Sequence, residues 1–210
     1  MTIEEKLRFF VIDIEEVDLP LNFNKIFGND KPVHLEIGSG KGEFIAKKSA
    51  IEKDVNFIGI ELKPKRIVTI TKKLDPEINK NVRLIKLYVD EKINEFIPQD
   101  SFDIIYIQHP DPWPKRRHHK NRLIQNKFLD SLNKILKING EVQIATDHPE
   151  YAKWIQKIFN SRSDFNSIFE NGYSMERPQN HISTYFEERW AELGYHPTFM
   201  FYKKVGQNEK

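Results

Sequence analysis

The sequence predicts an α/β fold, a mostly parallel sheet with helices on both faces. Three observations carry this. Short apolar runs of strand type recur at 33–37, 55–61, 81–89, 103–107 and 141–146, and segments of helical spacing lie between them. Strands that alternate with helices pair in parallel, because each crossover brings the chain back to start the next strand at the same end. Glycines, prolines and acids gather immediately after several of these runs, at the strand ends beyond which such sheets bind ligands.

The totals narrow the rest. A chain of 210 residues is long enough to bury one core without staples. It has no cysteine, which excludes disulfides, thiolate metal sites and thiol nucleophiles. No apolar run approaches the length of a membrane span, and the first residues have neither the basic nor the apolar part of a secretion signal. A soluble cytoplasmic protein is therefore expected. Internal repeats, low-complexity segments and Gly/Ser-rich linkers are absent from the sequence. The expected organisation is an N-terminal appendage over 1–30, one domain over 31–205 and a short tail over 206–210.

Residues 1–30 mix apolar and acidic side chains, as in Phe9-Phe10-Val11-Ile12-Asp13-Ile14-Glu15-Glu16, and are assigned no chemistry. The strand Val33-His34-Leu35-Glu36-Ile37 runs into Gly38-Ser39-Gly40-Lys41-Gly42 and then a helix from Glu43. A glycine turn between strand and helix lets the backbone approach a ligand closely and aims helix N–H groups at it. A phosphate-cradling loop needs glycine where Leu35 stands and Ser or Thr where Gly42 stands; a dinucleotide fingerprint needs its third glycine at Glu43. The spacing Glu36-x-Gly38-x-Gly40-x-Gly42 suits S-adenosylmethionine instead, a cofactor without a pyrophosphate.

The second strand ends in Glu61, where a carboxylate is placed to accept hydrogen bonds from both ribose hydroxyls. Lys63-Pro64-Lys65 opens a helix to Leu74, with proline at an early helical position. A third strand over 81–89 and a helix over 91–98 follow. Residues 124–138 have the spacing of a helix whose core face holds Phe128, Leu129, Leu132, Ile135 and Leu136, with Asn139-Gly140 as its stop. A strand over 141–146 ends at Asp147-His148-Pro149, a helix covers 151–159, and a last strand lies near 198–202.

The strand over 103–107 feeds the most distinctive stretch, Gln108-His109-Pro110-Asp111-Pro112-Trp113-Pro114. Three alternating prolines fix φ at about −65° and favour extended geometry before each of them. The resulting stiff loop holds Asp111 and Trp113 in place before a ligand arrives. Between Pro112 and Leu129 lie six Lys or Arg residues and no Asp or Glu, although the whole chain carries only +2. A local positive field beside a rigid acid and aromatic points to a polyanion, beyond a merely solvated charge run. The glycine turn, Glu61, the 110–113 loop and Asp147 all follow strands, so they are expected to converge on one crevice.

Together these motifs resemble the tRNA (guanine-N7)-methyltransferases of bacterial type, from Val33 to Tyr202. The most specific match is Pro110-Asp111-Pro112-Trp113-Pro114-Lys115-Arg116-Arg117-His118-His119-Lys120-Asn121-Arg122-Leu123. Glu36-Ile37-Gly38-x-Gly40-x-Gly42 and Gly59-Ile60-Glu61 resemble the family's cofactor motifs. Ala145-Thr146-Asp147, Arg177-Pro178 and Thr184-x-Phe186-Glu187-x-Arg189 resemble its substrate motifs. The resemblance implies a Rossmann-like S-adenosylmethionine-dependent methyltransferase fold over 31–205, with a guanosine in the tRNA variable loop as acceptor. It implies Asp111 as the active-site acid, Glu36, Gly38, Gly40 and Glu61 at the cofactor, and Lys115, Asp147, Thr184, Tyr185, Phe186 and Glu187 at the substrate. The family's acid after the third strand is replaced here by Tyr88, with Asp90 two residues on; either Tyr88 or Asp90 meets the adenine. Tyr185 stands for the family's Lys, and Trp190 for its Gly. No metal, membrane or obligatory protein partner is expected.

N7 of guanine carries a lone pair and no proton, so its methylation needs no general base. It needs in-line approach at about 3–3.5 Å and something to hold the base. The purine gains positive charge as the methyl arrives, and a preorganised carboxylate stabilises that charge, which suits Asp111. Lys115 donates to O6 or to a phosphate, Trp113 stacks on the base or wedges the loop, and Arg116 and Arg117 bind RNA. An adenine-N6 methyltransferase has two adjacent prolines and an aromatic after Asp or Asn, whereas Pro112 is followed directly by Trp113. A small-molecule methyltransferase leaves the six cations unexplained. A non-catalytic RNA-binding module leaves the glycine turn and Glu61 unexplained.

Overall fold

The protein is seen here as a computed structural model that describes residues 1–179, 181–183, 185–194 and 196–206. In chain order, helix α1 (Ile3–Phe10), strand β1 (Val11–Ile12) and helix α2 (Phe23–Phe27) precede β2 (Val33–Ile37), α3 (Glu43–Ile51), β3 (Asn56–Glu61), α4 (Pro64–Lys73) and β4 (Val82–Lys86). Then come β5 (Phe102–Gln108), α5 (Asn126–Ile135), β6 (Leu136–Thr146), α6 (Pro149–Asn160), β7 (Phe165–Ser167), α7 (Tyr185–Ala191) and β8 (Thr198–Lys204). The strands form one sheet in the order β1-β4-β3-β2-β5-β6-β8-β7. All neighbours from β1 to β6 are parallel, and β8 runs antiparallel to both β6 and β7.

Every residue of β2 and β3 is buried, because helices cover both faces of the sheet. On one face Leu35, Ile37, Ile58, Ile60, Ile105 and Ile107 pack with Phe128, Leu129 and Leu132 of α5 and with Ile155 of α6. On the other, Phe57, Leu84 and Tyr106 meet Phe10 of α1, Phe44 and Ile45 of α3, and Ile67 and Ile70 of α4. His34 lies on this second face, 3.2 Å from the Tyr106 hydroxyl; burial lowers its pKa to about 4, so it is a neutral core residue. A capping box starts α1, with the Thr2 hydroxyl accepting from Glu5 N–H and the Glu5 carboxylate accepting from Thr2 N–H. The segment before residue 30 thus contributes a helix packed on α4 and an edge strand paired with β4.

Three elements differ from expectation, and the first is the strand expected over 81–89, which ends at Lys86 and leaves 87–89 in the loop beyond it. The helix expected over 91–98 is a single 3-10 turn, Ile93–Glu95, entered through an Asp90 carboxylate that accepts from Lys92 N–H at 2.8 Å. The expected helix over 124–138 stops at Ile135, and Leu136 already begins β6. Its last carbonyls are met from outside: Asp100 and Ser101 N–H donate to Lys134 and Ile135 oxygens, and the buried Lys204 ammonium donates to those of Asn133 and Leu136. Asn139-Gly140 therefore ends no helix. It lies in a bulge of β6, where Lys137, Ile138, Asn139 and Gly140 stand opposite the single residue Asp103 of β5.

The chain proceeds outward from β2 to β3 and β4, then returns to place β5 on the free side of β2. The strand order therefore reverses between β2 and β5, and a crevice opens beyond their carboxyl ends. Among the described residues, no helix is long and apolar enough to cross a membrane.

Candidate active site

A cavity of about 950 Å³ occupies that crevice. Gly38, Glu61, Tyr88 and Asp90 line one part of it, and His109, Asp111, Trp113, Lys120 and Arg122 line another. Segments far apart in sequence meet here because the loops after β2, β3, β4 and β5 emerge at the same end of a parallel sheet.

Gly38 has φ +76°, and a Cβ built there would meet nothing within 4 Å, so open space lies against the backbone. Gly42 has the same φ for a different reason: a Cβ there would come within 2.6 Å of Ile70, where α3 meets α4. Glu61 accepts from Gly40 N–H at 3.0 Å on one oxygen and from Lys63 N–H at 2.9 Å on the other. Glu36 is buried behind the turn, with Oε2 lacking a hydrogen-bond partner. Burial pushes its carboxyl up to about 7, the Ser39 hydroxyl opposes this, and the nearby Glu61 charge adds to it. Gly38 and Glu61 line the cavity, whereas Glu36 and Gly40 do not. Tyr88 is 66% exposed and lines the wall with Asp90, so both candidates for the adenine remain at the cavity. Gln108, which the sequence reading passed over, also lines it with a buried, unpartnered Oε1.

These residues fit S-adenosylmethionine. Glu61 Oε1 accepts one hydrogen bond and has a second lone pair for a ribose hydroxyl, while Oε2, which accepts from Gly40 N–H, also lies 3.6 Å from the Arg66 guanidinium. The unpartnered Oε1 of the cavity-lining Gln108 and the open space beside Gly38 suit a ligand that brings a donor and approaches the backbone closely.

The loop after β5 continues the ladder for one bond, His109 N–H to Ala145 O at 2.8 Å, and then turns away with His109 at φ 49° and Trp113 at φ 44°. Asp111 is exposed to the crevice. Trp113 is 36% exposed, lines the cavity and meets His118 edge to face, so it is no buried wedge. Lys115, Arg116, Arg117 and Lys120 are exposed, and a 3-10 turn spans Arg116–Asn121. Of these four, Lys120 reaches the cavity wall. Arg122 behaves differently from the other cations. It is 3% exposed, its Nε donates to Pro112 O at 2.9 Å, and its guanidinium lies 5.0 Å from the ring centres of both Tyr151 and Trp154. It pins the loop from beneath. The apolar Leu123-Ile124 that follows was the available signal for this burial.

Asp147 and Glu187 do not line the cavity. Both bind His109 instead, Asp147 Oδ1 at 3.4 Å from Nδ1 and Glu187 Oε1 at 3.0 Å from Nε2, while Glu187 Oε2 meets His181 Nε2 at 2.7 Å. Burial opposes a charged imidazole at His109, but the two carboxylates outweigh it and hold the ring above its ordinary value. Burial likewise opposes charge on Glu187, but the two histidines outweigh it and bring its carboxyl down to about 2. The His109 hydrogen bond holds Asp147 below the usual carboxylate range. Tyr185 and Phe186 begin α7, and Thr184 lies outside the described residues. Neither His109 nor His181 was singled out from the sequence, where nothing marks them as partners of a distant acid. No group of three or more His, Cys, Asp or Glu able to hold a metal occurs among the described residues.

Comparison with known proteins adds to this geometry. A family described as "Putative methyltransferase" matches residues 30–200. The tRNA (guanine-N(7)-)-methyltransferase of Nitrosococcus oceani is 36% identical over 176 residues, 84% of this chain and 73% of that protein. That of Streptococcus mutans serotype c is 30% identical over 91% of this chain and 90% of that protein. Among solved structures, a SAM dependent methyltransferase from Aquifex aeolicus has a TM-score of 0.53 at 16% identity, covering 97% of each chain, a likeness of fold.

Proposed function

The chain belongs to the tRNA (guanine-N7)-methyltransferase family, and on that premise we propose how its crevice carries out the reaction. It is an S-adenosylmethionine-dependent enzyme that methylates N7 of a guanosine in tRNA, and we assign the variable loop as the acceptor region. One observation carries the reading: the glycine turn after β2 and the 110–113 loop after β5 flank one cavity at the point where the strand order reverses.

Gly38 and Glu61 hold the cofactor at the wall, with Glu36 and Gly40 behind them and Tyr88 and Asp90 at the adenine end. Bound there, S-adenosylmethionine supplies a methyl group on a positively charged sulfur. Asp111 faces the guanine and stabilises the positive charge that grows on the purine during transfer. Trp113, exposed at the wall, offers a face for stacking, worth roughly 1–3 kcal/mol per base. Lys115, Arg116 and Arg117 are exposed outside the cavity wall, which favours phosphates over base edges as their partners. Asp147 retains partial exposure for a substrate contact, and Thr184, Tyr185 and Phe186 are assigned to the substrate by the family motif. Residues 31–205 carry the whole of this machinery, and residues 1–30 brace its edge. The reaction is assigned to the cytoplasm, with tRNA as partner.

The test is incubation with unmodified tRNA and methyl-labelled S-adenosylmethionine, followed by nucleoside analysis. The expected label is in N7-methylguanosine. Label in another nucleoside, or none in tRNA, refutes the reading.

A further inference from the structure

Two acids expected at the substrate are engaged elsewhere. Glu187 has a side-chain exposure of 0%, with one oxygen on His109 and the other on His181. Asp147 turns Oδ1 to the other ring nitrogen of His109. His109 thus bridges three segments: the loop after β5, the residue beyond β6, and α7. A neutral imidazole has one N–H and can donate to one of these carboxylates, whereas the imidazolium donates to both. Its backbone leaves β5 at φ 49° and continues directly into Pro110 and Asp111. A ring fixed on both sides therefore fixes the start of the loop that carries the active-site acid.

We propose that His109 is a positioning residue for methyl transfer, clamping α7 and the end of β6 against the Asp111 loop as an imidazolium and releasing them when it loses its proton. The inference rests on the assignment of Asp111 to the active site, and it gives Glu187 the task of holding the loop instead of touching tRNA. Among the described groups, those that face the ring include Asp147 from the end of β6 and Glu187 from α7, with His181 sharing Glu187 and His148 beside Asp147. The two carboxylates stay ionised across the neutral and alkaline range, so the imidazole is the group that titrates. Because its pKa is raised in the folded protein, the clamp is complete below the free value of about 6.5 and is lost as pH rises through the higher folded value.

The test uses the full chain in two measurements. The first is an NMR titration of the His109 ring together with protection factors of the α7 amides, corrected for intrinsic exchange. The ring should titrate above its ordinary value, and α7 protection should fall over the same pH interval. In His109→Gln, which cannot carry charge, α7 protection should be low at every pH. The second is single-turnover methyl transfer to tRNA: the wild-type rate should fall along the same alkaline limb. His109→Gln should be slower by about tenfold or more at neutral pH and lack that limb, as loss of a charge-assisted hydrogen bond implies. Affinity for S-adenosylmethionine should be unchanged. A ring that titrates at or below its ordinary value, or α7 protection equal in both proteins, overturns the proposal. Should His109→Gln not fold, Glu187→Gln must lower the His109 pKa, and an unchanged pKa is equally fatal. A wild-type protein that methylates no tRNA would defeat the functional reading, while the titration and exchange still decide the clamp.

Discussion

Glu61 illustrates how a single side chain serves fold and ligand together. It closes the glycine turn through Gly40 N–H, holds the entry to α4 through Lys63 N–H and pairs with Arg66 at 3.6 Å, yet still lines the cavity. Glu61→Ala should weaken S-adenosylmethionine binding by on the order of 1–3 kcal/mol, the worth of one or two hydrogen bonds to a charged acceptor. Calorimetry decides this, and unchanged affinity would remove Glu61 from the site. Its place at the cavity was legible in the sequence, because an acid at the end of the strand after a glycine turn falls at the carboxyl edge of the sheet. Arg122 was not legible in the same way. It stands in a run of cations, and a sequence shows charge without showing which member turns inward to lie between Tyr151 and Trp154. The partners of Glu187 were hidden too, since His109 and Glu187 are 78 residues apart.

At the scale of elements, the apolar runs located β2 and β3 because both are buried on both faces and are largely apolar as a result. The boundary between α5 and β6 escaped, because what ends the helix comes from Asp100, Ser101 and Lys204, none of them local to it. Asn139-Gly140 has the local chemistry of a helix stop and is used for a bulge. A Cβ at Gly140 would lie 2.9 Å from Lys137 O and 3.0 Å from Asp103 O. Gly140→Ala should therefore destabilise the protein by about 1–3 kcal/mol in chemical denaturation, since backbone must move to admit it. A neutral substitution would mean that the bulge has slack. The 3-10 turn Arg116–Asn121 makes a separate prediction, because its Arg116 and Arg117 are exposed and lie outside the cavity lining. Replacing Arg116 and Arg117 with Ala should flatten the salt dependence of tRNA binding by roughly 0.7 per lost phosphate contact on single-stranded backbone. Affinity for S-adenosylmethionine should stay the same. An unaltered salt slope would reduce the turn to a solvated surface.

For the whole molecule, the strand order explains why residues scattered from Gly38 to Arg122 share one cavity: β2 and β5 are neighbours, and the chain leaves them in opposite directions. That convergence was legible from the alternation of strands and helices alone. The clamp of α7 onto the loop after β5 was not, because it depends on side chains that meet only after the sheet has formed. The assembled crevice asks one thing of Asp111, a negative field at the guanine as positive charge develops there. Asp111→Asn keeps the shape and removes the field, so it tests the account most directly. Single-turnover methyl transfer to tRNA, measured at saturating S-adenosylmethionine and enzyme, should slow by roughly ten- to a thousandfold, while the affinities for both ligands change little. A variant that transfers the methyl group at the wild-type single-turnover rate would contradict the assignment of Asp111 as the active-site acid.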